Sequence, residues 1–161
     1  MTKPQSLPNT LIGDLVIRQQ TFEALSRQAA SSGQPCYGYY FTYTSSYSPI
    51  AAHAADINFV FGNLGPQEPF GGTQAPTAQD YELSKAIMSY WTNFAKFGNP
   101  NGLGGIDLPE WPPFHPGQRQ FLQLGVQTGP VEDIRFDRFN FIASLRRWGV
   151  LPSTWRSLEH S

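Results

Sequence analysis

An α/β layer architecture with about three helices and three strands is expected from three features of this 161-residue chain. Residues 35–44, PCYGYYFTYT, form an aromatic, β-favouring run bounded by turn-forming residues. Residues 77–97 repeat apolar side chains at helical spacing, and two short apolar runs near 120–124 and 131–136 are divided by Gly and Pro. A strand with aromatic side chains on both faces belongs in a sheet covered by helices rather than in a half-solvated sandwich. The length fits one domain, and 40% hydrophobic with 14% aromatic residues can fill a sizeable core.

Residues 1–10 hold two prolines and little apolar periodicity and read as a flexible lead-in; 11–148 carry the elements, and 149–161 read as a tail. The first helix is expected over 14–32, with Asp14 placed to cap it, Leu15, Phe22, Leu25 and Ala29 at helical spacings, and Gly33 as its left-handed stop. The strand at 35–44 follows. A loop, SSYSPIAAH, leads to His53, and Ile57, Phe59, Val60 and Phe61 form a short apolar segment ended by Gly62-Asn63. Residues 64–76 are proline and glycine punctuation.

The second long helix has the clearest start signal, because Thr77 with Asp80 three residues on resembles a capping box with Asp in place of the usual Glu. Leu83, Ile87, Trp91 and Phe94 give it one apolar face that needs a partner surface, and Gly98 and Pro100 stop it. The long loop NPNGLGGIDLPEWPPFHPG is too rich in Gly and Pro for regular structure. Strands are expected at 120–124 and 131–136, then a helix over 137–148 with Phe141, Leu145 and Trp148 on one face. No internal repeat, heptad or low-complexity tract occurs.

Composition narrows the function classes. Only 14% of residues are charged and the net charge is -1, so there is no electrostatic footprint for nucleic acid or an anionic membrane. No run of about 18 apolar residues could span a membrane, and the first residues lack the apolar core of an export signal. Cys36 is the single cysteine, so no intrachain disulfide or thiolate metal cluster can form, and it is expected to be a packed strand thiol. No spacing of His, Cys, Asp or Glu matches a metal site, and the glycines of GGT and GLGG lack the context of a phosphate cradle, so no cofactor is expected.

Three histidines remain. His115, in PPFHPG, and His160, near the C-terminus, are read as solvated. His53 follows a strand within a loop of small residues, and two readings stand side by side: a loop histidine bonded to its neighbours, or a general base whose near-neutral pKa suits proton transfer. Asp56, three residues on, could orient it. No serine lies in G-x-S-x-G and no HGGG-type run could form an oxyanion hole.

Taken in order, these stretches resemble the C-terminal third of the type B carboxylesterases, the cholinesterase-like branch of the α/β-hydrolases. GDLVIRQQTFEAL then YGYYFTY is similar to the helix and strand ahead of that family's catalytic histidine. HAADINFVFGN resembles its H-x-x-[DE]-I-x-[FY]-V-F-G, and LSKAIMSYWTNFAKFGNPNG with LPEWPPF resembles its L-S-x-x-M-x-x-Y-W-x-N-F-A-x-x-G-x-P-N and L-P-x-W-P segments. The resemblance implies a partial α/β-hydrolase fold, the closing strands and helices of a larger central sheet. It also implies that His53 is the triad base and Asp56 a supporting acidic residue rather than the triad acid. IRQQ stands where the family carries a disulfide cysteine, so that bridge is not expected.

In this fold the triad runs Ser, Asp/Glu, His along the chain, so the serine elbow, oxyanion hole and acid are expected to precede residue 1. The resemblance therefore implies a small-molecule ester substrate for the complete enzyme, and little activity for this chain without the N-terminal portion. An alternative from another class is a non-catalytic cholinesterase-like binding module. A third is a separate polypeptide that supplies the serine half.

Overall fold

Residues 19–65, 74–103, 107–132, 141, 144, 145 and 147–149 are described by the computed structural model. Helix α1 (Gln19–Ser31) ends as expected: the Ser32 amide donates to the Gln28 carbonyl, and Gly33 turns the chain at φ 64°. Its expected start at Asp14 lies outside the described residues. Strand β1 (Tyr39–Phe41) follows, then the short helix α2 (Ile57–Val60), the long helix α3 (Ala78–Phe97), and strands β2 (Gln120–Leu124) and β3 (Gly129–Glu132).

The sheet has the order β1-β2-β3. β1 runs parallel to β2, with Tyr39 opposite Leu122, and β2 runs antiparallel to β3, with Phe121 opposite Val131. A parallel pair needs a crossover connection, and residues 42–119, with α2 and α3, supply it. β1 is shorter than the ten-residue run expected from sequence. β2 ends at Leu124, whose carbonyl takes the Thr42 amide, and beyond it β2 offers no further ladder partner. β3 begins at Gly129, two residues earlier than expected, and carries Pro130 opposite Leu122; an outer strand tolerates that missing donor.

Alternation along β2 sorts its side chains onto two faces. Phe121 packs toward Tyr40 and Phe114, and Phe114 in turn meets Phe22 of α1. Leu122 and Leu124 join Phe59, Leu83, Ile87, Tyr90 and Trp111 in the main core beside α3. Helices thus cover both faces at β2, as the layer argument requires. At β1 burial is weaker than expected: Tyr40 and Phe41 are half-buried and Tyr39 is 36% exposed.

Gly38 is required where these layers meet. A Cβ there would sit 2.6 Å from the Phe121 ring and 2.8 Å from Leu25. Its carbonyl accepts both the Leu122 amide and the Trp111 indole N–H, each at 3.0 Å.

In α3 the capping box is complete, with Thr77 and Asp80 each bonding the other's backbone N–H, and Gly98 closes the helix at φ 66°. Leu83 and Ile87 are buried, but Trp91 is half-buried and Phe94 is 50% exposed; Tyr90 takes the buried place instead. The apolar face therefore turns away from the core toward the helix C-terminus. The expected helix over 137–148 falls largely outside the described residues, and of its named side chains Phe141 and Trp148 are exposed.

Candidate active site around His53

The loop from β1 to His53 is fastened before it reaches the histidine. Tyr43, Tyr47 and Ser48 are buried, and the Ser45 amide donates to the Ser48 carbonyl at 2.8 Å. Ser45 Oγ also donates to Asp80 Oδ1 at 2.7 Å, while Asp80 Oδ2 accepts from the Thr77 amide and hydroxyl. Asp80 is fully buried and joins the loop to the α3 cap. Burial works to raise its pKa, but hydrogen bonds from Ser45 and Thr77 outweigh that and hold the carboxyl below its ordinary value. Tyr43 responds in the opposite sense: burial and the Asp80 charge push its phenol up to about 12.

Past this anchor the chain opens into small residues and His53 is exposed. The next residue, Ala54, has φ 67°, a left-handed conformation that costs a side-chain-bearing residue about 1–2 kcal/mol. Two backbone bonds of 3.2 Å, Ala55 to Ala52 and Ile57 to Ala54, close the turn. α2 then locks in place through Phe59, which is buried against Phe41, Tyr43 and Tyr47, and through Ser84 Oγ, which donates to the Phe59 carbonyl at 2.7 Å. Gly62, at φ 65°, passes Met88 of α3 so closely that a Cβ would sit 3.0 Å from its sulfur.

Asp56 ends the turn as the N-cap of α2 but makes no side-chain cap bond. Its Oδ2 accepts the Tyr39 hydroxyl at 2.7 Å. Burial, followed by the Asp56 hydrogen bond and charge, raises the Tyr39 phenol far above its ordinary range. Among the described residues no hydrogen bond joins Asp56 to His53, so the two are linked through the backbone turn.

Sequence reasoning missed Tyr39, Ser45 and Ser84 as the partners that hold this turn. The only signal was their place on neighbouring elements, since the spacings of 17, 35 and 25 residues carry no local pattern. Cys36 precedes β1 rather than lying in it, is half-buried, and its thiol reaches the Gln34 carbonyl at 3.6 Å. His115 is exposed in a shallow cleft with Glu110, Gln118 and Gln120, a lining that includes neither His53 nor Asp56. His160 lies outside the described residues. No described helix is long and apolar enough to cross a membrane.

Comparisons with known proteins give the family and the fold. Residues 3–142 match the model of the carboxylesterase family. Pig (Sus scrofa) liver carboxylesterase is 34% identical over 146 residues, which cover 86% of this chain and 24% of that protein. Mouse (Mus musculus) carboxylesterase 1E is 33% identical, covering 89% and 25%, and chicken (Gallus gallus) acetylcholinesterase is 36% identical, covering 85% and 21%. A solved structure of PNB esterase superposes with a TM-score of 0.69 at 26% identity, over 86% of this chain and 28% of that one. The chain spans about a quarter of the length of these relatives. With its mixed sheet, its two-sided helix cover and its ordered motifs accounted for together, the chain is an α/β segment that belongs to the carboxylesterase family.

Proposed function

We propose that this chain is the histidine-bearing portion of a serine carboxylic-ester hydrolase, with His53 as the triad base and Asp56 as a supporting residue. The observation that carries the reading is an exposed imidazole, on a strained turn at the end of the loop that follows β1, inside the family match. A base must be reachable by the group it deprotonates, and this turn leaves the imidazole accessible while the loop behind it is anchored in the core.

In the assembled enzyme His53 accepts the proton of the nucleophilic serine as it attacks the ester carbonyl, then returns it to the leaving alcohol. The acid that orients the imidazole is distinct from Asp56, whose carboxylate is engaged by Tyr39. The chain holds no G-x-S-x-G, so the serine, oxyanion hole and acid come from the portion of the enzyme that precedes it. By itself the chain forms no acyl-enzyme, and its substrate is a small-molecule ester only in the complete protein.

Hydrolysis of a short p-nitrophenyl ester by the purified chain tests the second half of this proposal. Turnover no faster than with His53→Ala is expected. Rapid turnover that His53→Ala abolishes would show a complete site within these residues and overturn the partial-site reading.

A further inference from the structure

We propose that Tyr39 is a positioning residue for the His53 turn, holding it to the sheet through its hydrogen bond to Asp56. Residues 52–57 contain a left-handed alanine, and their own closing bonds are long at 3.2 Å. A non-glycine residue persists in that conformation only where surrounding contacts over-determine it. From the core side, Phe59 and the Ser84 bond fix α2, but both act beyond the turn.

Within the turn Ala55 is buried, and the polar tie is Asp56. Its carboxylate leaves the α2 amides uncapped and takes the Tyr39 hydroxyl at 2.7 Å, a charge-assisted bond across 17 residues of sequence. The donor is well held: Tyr39 packs edge-on against Trp91 at 5.1 Å and Trp111 at 5.9 Å, and Trp111 is pinned to the Gly38 carbonyl. β1 therefore fixes the direction in which the turn, and with it the His53 Cα, leaves the sheet. A small displacement of a base costs rate even where every reacting group is intact.

The functional meaning of this clamp rests on His53 being the base; the clamp itself does not. Hydrogen exchange of the full 161-residue chain separates the two. Tyr39→Phe, which removes only the hydroxyl, should speed exchange of the Ala55 and Ile57 amides at least about tenfold while leaving the α3 amides unchanged. Asp56→Ala should do the same, and Asp56→Asn, which keeps an acceptor oxygen, should restore most of the protection.

Equal exchange of the turn in Tyr39→Phe and wild type would overturn the clamp. So would equal acceleration in the turn and α3, which marks a general stabilising role, or a wild-type turn with no protection to lose. In the complete esterase Tyr39→Phe should lower kcat with KM little changed. If His53→Ala leaves that activity intact while the exchange result holds, the base assignment fails and the clamp stands.

Discussion

Two loops beside α3, one rich in Pro and Gly and the other in Ser and Ala, end in opposite states. The loop after α3 folds inward: the Asn101 side-chain oxygen accepts the Trp111 amide at 2.8 Å, its nitrogen donates to the Trp111 carbonyl at 2.9 Å, and Tyr90 donates to the Pro109 carbonyl. Trp111 is only 5% exposed and its indole reaches across to Gly38. The loop after β1 is anchored by Ser45 and Asp80, then turns outward through Ile50 and exposed His53. Polar side chains that mimic backbone partners make the first loop part of the core. Small residues with few such partners leave the second open at His53, the proposed base.

Truncating the inward loop should therefore cost most. Trp111→Ala removes a buried aromatic and the indole N–H that the Gly38 carbonyl accepts, and should lower stability by about 4 kcal/mol, read as a fall in the denaturation midpoint. Asp80→Ala, which releases the outward loop from its anchor, should cost about 3 kcal/mol by the same measurement.

Asp80 and Tyr90, one from each loop's contacts, carry pH signatures of opposite sign. Asp80 has its folded pKa depressed, so its stabilisation is present at neutral pH and is lost as pH falls through that lowered value. Asp80→Ala should flatten this acid limb. Tyr90, in the inward loop's contact, is pushed by burial up to about 12, so its contribution is intact below about pH 10 and lost as pH rises through about 12. Unfolding followed by circular dichroism should show that alkaline loss, and Tyr90→Phe should reduce it.

Smaller effects belong to the exposed turn. Ala54→Gly relieves the left-handed strain and should stabilise the chain by about 1 kcal/mol or less, whereas Ala54→Val should destabilise it. His53→Ala should change stability by less than about 0.5 kcal/mol, because its side chain is exposed. A large loss on His53→Ala would place the imidazole in the packing and blur the contrast between the loops.

What could be read from sequence was what local rules govern. The Thr77–Asp80 box, the Gly33 and Gly98 stops, the strand at 120–124 and the α3 residues Leu83 and Ile87 all follow from capping, backbone freedom and periodicity. The motif resemblance led to the family. Local rules could not tell that Asp80 would serve the loop at Ser45 as well as its own cap, nor that Tyr39 would reach Asp56. Those contacts depend on how the crossover returns to the sheet. Nor could they tell that the face of α3 would rotate, exposing Phe94 and burying Tyr90, since both residues fit a helix stripe. Ala54 is the sharpest case, because alanine gives no hint of a left-handed backbone.

The most direct measurement is ester hydrolysis by this chain joined to a preceding portion that carries the G-x-S-x-G serine, compared with its His53→Ala variant. The account predicts turnover by the joined protein, a loss on the order of a million-fold on His53→Ala, and none from the chain alone. Turnover that His53→Ala leaves unchanged would contradict it.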